Sequence, residues 1–185
     1  MRIETERLIL RPFTVKDAED LFSYLRDISI NCFASMKVTT LEEAKKQAEE
    51  RSKDPELYFA IEHKNSGKVI GEICSHAEGT APGNESARDT FSPCWMLHTD
   101  YQGKGYMYEA ANAYYDYLFN KKMARRIYIY TEDYNISCQK LSERLGMRKE
   151  GAFREFVSFV NDAEGNPVYE NTYQYAILKK EWEYR

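Results

Sequence analysis

The chain has 185 residues, a net charge of −4, and fifteen Tyr and nine Phe among its 43% hydrophobic residues. That length predicts one domain over residues 1–185 with a sizeable core, and the aromatic content excludes a disordered chain. The acidic balance argues against nucleic acid as a main partner, and no apolar run approaches the roughly 18 residues of a membrane span.

Met1–Arg7 lacks the apolar stretch of a signal peptide. Arg7–Pro12 reads as a first strand, stopped by proline. Thr14–Arg26 follows as a helix with Thr14 as N-cap, because Ala18, Leu21, Phe22 and Leu25 recur at helical spacing. A second, strongly charged helix starts at Thr39 or Thr40 and runs to Lys53; its few apolar positions place it on the surface. Leu57–Ile61 and Val69–Cys74 are strands joined by the turn Asn65–Lys68. Ala77–Asp89 is polar, with Gly79, Pro82 and Gly83, and reads as a loop; Phe91–Leu97 is the next strand.

Gly105 to Lys121 reads as a helix with two apolar stripes, Met107, Ala110, Tyr114, Leu118 and Tyr108, Ala111, Tyr115, Phe119. Its polar face is narrow (Glu109, Asn112, Asp116, Asn120), so the helix should cross the middle of a sheet. Arg126–Thr131 is β-rich with little polar character on either face, which predicts a central strand. Asn135 caps a further helix that carries Cys138, Leu141 and Leu145 inward, and Gly146 ends it. Two final strands, about 153–160 and 168–178, flank the turn Asn161–Pro167. The predicted order is β-α-α-β-β-β-α-β-α-β-β, an α/β architecture with a mixed central sheet and helices on both faces. Trp182 and Tyr184 are predicted to be exposed and to hint at a partner surface, such as that of a homodimer. Cys32, Cys74, Cys94 and Cys138 form no CxxC pair, and with three scattered His they give no metal framework. The expectation is a cytoplasmic protein with reduced thiols.

The most informative stretch is Trp95–Ala110, where a strand runs into Gln102-Gly103-Lys104-Gly105 and a helix begins at once. Two glycines around a lysine at a helix start leave several N–H groups unpaired at the positive end of the helix dipole. Such a site suits an anion, most simply a phosphate, although an ordinary tight turn has the same composition. A P-loop is excluded because no glycine pair is followed by Lys and Ser or Thr at the required spacing. A dinucleotide fingerprint is excluded because Tyr108 stands where its third glycine belongs. The remaining reading is a pyrophosphate arm held by backbone N–H groups.

This turn resembles the coenzyme-A signature of the GNAT N-acetyltransferase family: Arg or Gln, two residues of any kind, Gly, any residue, then Gly or Ala. Here the run is Gln102-Gly103-Lys104-Gly105-Tyr106-Met107, with Met107 in place of the small final residue. Thr5–Pro12, Trp95–His98, and Asn135 with Leu145-Gly146-Met147 are similar to the RimJ/RimL-like branch of ribosomal-protein-type enzymes. The predicted strand order is also the family's. The resemblance implies transfer of an acetyl group from acetyl-CoA, as co-substrate and without a metal, to a primary amine on a protein N-terminus, peptide or small molecule. Gln102, Gly103, Lys104, Gly105, Tyr106 and Met107 would hold the pyrophosphate arm, Met96 and Leu97 the pantetheine, and a backbone N–H near Leu97 the developing oxyanion. Asn135 would meet the pantetheine as well as cap its helix. The Ser of the family's second motif falls on Cys138, which makes that thiol the candidate acid, with Ser137 and Tyr134 as alternatives. Cys138 is equally a small core residue. Arg154-Glu155 resembles an Arg-Glu pair of this branch, so Glu155 is the first candidate base, before Glu72 and His98. Each of these three is also readable as a solvated or ion-paired side chain. A non-catalytic acyl-CoA-binding sensor is the competing reading, and a nucleotide-binding protein using the same turn a third. The acidic balance leans toward a cationic acceptor. Acceptor choice is expected to depend on 28–38, 77–89 and 161–167.

Overall fold

In a computed structural model, which describes residues 1–78 and 88–184, eight strands form one sheet in the order β1-β2-β3-β4-β5-β6-β8-β7. They are β1 (Ile3–Glu4), β2 (Leu8–Arg11), β3 (Tyr58–His63), β4 (Val69–Glu78), β5 (Thr90–Leu97), β6 (Arg126–Glu132), β7 (Arg148–Asn161) and β8 (Pro167–Leu178). The helices are α1 (Ala18–Leu25), α2 (Leu41–Ser52), α3 (Tyr106–Asn120), α4 (Ile136–Arg144) and α5 (Lys179–Trp182). The order matches the expected one, with β1 and α5 added at the ends. Every neighbouring pair is antiparallel except β5 and β6.

Two apolar layers sandwich the sheet. On one face the α3 side chains Tyr114, Tyr115, Leu118 and Phe119 are fully buried with Leu8, Phe59, Ile127 and Ile177. Each such side chain contributes about 1.5–3 kcal/mol. On the other face Leu21 and Leu25 of α1 and Ala44 and Ala48 of α2 pack on Ala60 and Val69. The charged helix α2 therefore touches the sheet through a stripe of small residues plus Arg51, all buried. Thr40 caps it, accepting from the Glu43 amide at 3.2 Å.

Several elements depart from expectation. Val15–Asp17 is a 3-10 turn that precedes α1, rather than part of one continuous helix. β7 begins at Arg148, because pairing of Arg148 and Lys149 with β8 continues the sheet before three register shifts. β6 is central, but only one face is apolar: Ile127 and Ile129 are buried while Tyr130 is exposed. The predicted loop 77–89 is shorter, since β4 includes Ala77 and Glu78; its residues 79–87, with Gly79, Pro82 and Gly83, lie outside the described residues. Trp182 is not exposed: it is 6% accessible, packs on Tyr115 and Phe119, and donates its indole N–H to Asp116 Oδ1 at 2.6 Å. Tyr184 is exposed. No helix among the described residues is long and apolar enough to cross a membrane.

Candidate active site

The site is made by a split between β5 and β6. These parallel strands pair only at Thr90 with Arg126 and Phe91 with Ile127, whereas β5 stays paired to β4 up to Leu97. The His98 amide donates to Ile70 O on the β4 side at 2.8 Å. Hydrogen-bonding direction alternates along a strand, so the amides of Leu97 and Trp95, and the position of Pro93, face β6. Pro93 has no N–H to give there, and the ladder ends at it. The unpaired edge of β5 beyond it borders a cavity of about 670 Å³, whose wall includes Trp95, Met96, Leu97, Glu132, Asn135 and Cys138.

The other end of the cavity is the start of α3. Gly103 and Gly105 have φ of 71° and 82°, left-handed values that disfavour any residue with a Cβ. Glu109 is the first α3 amide to bond back, to Gly105 O at 3.1 Å. The amides of Tyr106, Met107 and Tyr108 thus have no intrahelical acceptor, the arrangement that an anion cradle at a helix start requires. Gln102 ties the turn to β5 by donating from Nε2 to Leu97 O at 3.1 Å. Gln102, Gly103, Gly105 and Met107 reach the cavity wall. The Met107 side chain lies in the core, 9% exposed, so its bulk does not fill the cradle. Two predicted side chains turn away. Lys104 Nζ donates to Asp100 O at 2.7 Å, and Tyr106 packs under the Arg7 guanidinium, 4.3 Å from its ring centre. Both residues offer the cradle only their backbone.

Sequence reasoning missed the cations of this end. Lys140 and Arg144, four residues apart on α4, both reach the cavity wall, and Arg144 stacks 3.9 Å from the Tyr108 ring centre. Their i, i+4 spacing on a helix next to the glycine turn was the available signal.

The catalytic candidates separate. Asn135 Oδ1 accepts from the Cys138 amide at 3.2 Å, which fixes the first turn of α4 at the cavity wall. Burial pushes the Cys138 thiol up to about 11, so it is protonated at neutral pH. Ser137 also lines the cavity, while Tyr134 directs its hydroxyl to Glu170. Glu155 sits on a β7 bulge with φ 44°, exposed, and its amide donates to Asn171 Oδ1 at 3.0 Å; it is not on the cavity wall. Glu72 is buried and fully engaged: Arg51 donates from Nε and Nη2 at 2.8 and 3.0 Å, and the Tyr24 and Tyr58 hydroxyls donate at 2.8 Å each. His98 Nδ1 accepts from the Asp100 amide at 3.1 Å and borders a separate, smaller pocket. No metal-binding group of His, Cys, Asp or Glu occurs among the described residues.

The split between these parallel strands thus leaves free strand amides at one end of the cavity and free helix-start amides at the other. Residues 7–148 match the family described as Acetyltransferase (GNAT) domain, and the chain belongs to that family. It is 29% identical to the Bacillus subtilis protein named uncharacterized N-acetyltransferase YnaD, over 98% of this chain and 99% of that one. It superimposes on a GNAT-family acetyltransferase from Bacillus anthracis with a TM-score of 0.82 at 26% identity, covering 97% of this chain and 99% of the other. RimL, an alpha-N-protein acetyltransferase solved in complex with coenzyme A, shares the fold, with a TM-score of 0.74 at 17% identity over 96% and 98% of the two chains.

Proposed function

We propose that this protein transfers the acetyl group of acetyl-CoA directly to a primary amine. The observation that carries the proposal is the pairing, across one cavity, of the free β5 edge at Leu97 with the orphan amides of Tyr106–Tyr108. The pyrophosphate rests on those amides with Lys140 and Arg144 beside it, and the pantetheine runs along the open edge of β5 as an added strand would. Asn135 holds the start of α4 against that path. RimL, of the same fold, is solved in complex with coenzyme A, which supports that molecule as the ligand.

The Leu97 amide donates to the thioester oxygen, and its hydrogen bond strengthens as that oxygen gains negative charge. The amine nitrogen attacks the thioester carbon, the C–S bond breaks, and the sulfur leaves as thiolate. The Cys138 thiol, kept protonated by burial, supplies the proton that neutralises it. The amine loses its own proton to water in the cleft. Glu155, outside the cavity wall, and Glu72, already paired with Arg51, take no part in this scheme. Release of CoA thiol, followed across an amine panel with saturating acetyl-CoA, tests the proposal. Steady release with at least one amine supports it. Tight acetyl-CoA binding with no release for any amine would instead establish the sensor.

A further inference from the structure

Two buried carboxylates, Glu132 on the cavity wall and Glu170 behind it on the neighbouring strand β8, lack counterions. Glu132 closes β6 directly opposite Thr172 of β8, and Glu170 lies two residues before Thr172. Cross-strand partners and i, i+2 neighbours share a face, so the three side chains converge on one side of the sheet. Glu132 is 3% exposed and Glu170 7%. Glu170 accepts from the Asn31 amide nitrogen and the Tyr134 hydroxyl. The Cys32 thiol is beside Glu132, and burial together with that carboxylate pushes the thiol upward. None of these partners is a cation, and among the described residues neither carboxylate forms an ion pair. The fold treats its other buried acids differently: Glu72 has Arg51 and Asp17 has Arg11. Thr172, opposite Glu132 and two residues from Glu170, is 4% exposed, and its buried hydroxyl has no hydrogen-bond partner.

Buried charge without a counterion and a buried hydroxyl without a partner are both unfavourable. A ligand that brings positive charge and N–H donors satisfies all three groups at once. The nitrogen to be acetylated cannot do so in the reactive complex, because it must shed its charge before it attacks. The missing charge has to come from another part of the acceptor.

We propose that the acceptor is a diamine-type molecule whose second, unreacting cationic group is seated by Glu132, Glu170 and the Thr172 hydroxyl, with its reacting nitrogen directed toward Leu97. The identity of the second group as part of an acceptor rests on the acetyltransferase reading; the cation site itself does not. Calorimetric titration of the protein, without acetyl donor, compares diamines from diaminopropane to diaminohexane with the monoamines of matched length. At least one diamine should bind about tenfold or more tightly than its monoamine, a difference of about 1.4 kcal/mol. Glu132→Gln and Glu170→Gln should remove that preference. Thr172→Val should weaken diamine binding without lowering the melting temperature, since the deleted hydroxyl has no partner to lose; it also serves if either Gln variant fails to fold. The kcat/KM for CoA release should show the same diamine preference. Equal binding of diamines and monoamines, or a preference unchanged in all three variants, would overturn the proposal. Diamine binding without CoA release would retain the cation site and remove the acetyltransferase reading, whereas release with equal use of both amine types would do the reverse.

Discussion

Removing Arg51 should strand the Glu72 carboxylate. The pair is 3% and 2% exposed, with two guanidinium hydrogen bonds at 2.8 and 3.0 Å. Tyr24 and Tyr58 donate to the same carboxylate, but neither is a cation. An uncompensated buried charge costs about 3–5 kcal/mol. For a chain of this size each kcal/mol lowers Tm by about 2–4 °C, so Arg51→Met should melt roughly 6–20 °C below the parent. The double variant Arg51→Met/Glu72→Leu removes both charges and should recover most of that loss, because replacing a whole buried pair by apolar groups is often near neutral. The two tyrosine hydroxyls then lose their acceptor, so full recovery is not expected. Urea denaturation of the parent, Arg51→Met, Glu72→Leu and the double variant completes the cycle, with kcat/KM measured well below the lowest Tm. Arg51→Met as stable as the parent, or a double variant no better than Arg51→Met, would refute the ion-pair argument. A folded but inactive double variant would refute the assignment of Glu72 to structure.

The remaining predictions concern the site and its frame. Cys138→Ala should lower kcat about tenfold or more at unchanged KM for acetyl-CoA, while Cys138→Ser, which keeps a donor, retains most of the rate; general-acid assistance contributes about 10²–10⁴-fold at its full strength. Glu155→Gln should leave kcat/KM within about twofold of the parent, in contrast to the role that the family resemblance suggests, because the side chain is exposed away from the cavity; steady-state kinetics decide this. Burial pushes Glu109 up, but hydrogen bonds from the Thr5 hydroxyl and from the Arg7 amide and guanidinium outweigh it and hold its pKa below the usual 4.5. Its contribution is therefore fully present above about pH 4.5 and is lost as pH falls through the lower folded value, so Glu109→Gln should flatten the acid limb of a stability-against-pH curve.

What was legible in the sequence was local. The stripes of α3, the cap at Asn135, the left-handed Gly146 and the glycine turn are all set by residues within a few positions of each other, and each has the expected form. The split that creates the site was visible only as Pro93 in an otherwise ordinary strand, and its meaning depends on β6 lying beside it. Trp182 looks like a terminal surface aromatic until α5 folds it onto α3. Glu72 and Arg51 are 21 residues apart and carry no pattern that pairs them. Glu132, Glu170 and Thr172 converge through strand register alone, which one sequence cannot supply. Glu155 was favoured by motif position, yet the bulge at φ 44° aims that stretch of β7 into solvent. Backbone features therefore carried over well, and long-range placement of carboxylates did not.

The central claim is that backbone amides hold the donor, at the open edge of β5 and at the start of α3. Amide hydrogen exchange, resolved to single residues with and without acetyl-CoA, measures this directly. The account predicts new protection at Trp95, Leu97, Tyr106, Met107 and Tyr108, with no change at His98, whose amide is already bonded to Ile70 O. Saturating acetyl-CoA that leaves these five amides exchanging as in the free protein, or that protects instead the smaller pocket around Asp20, Lys68 and Tyr101, would contradict it.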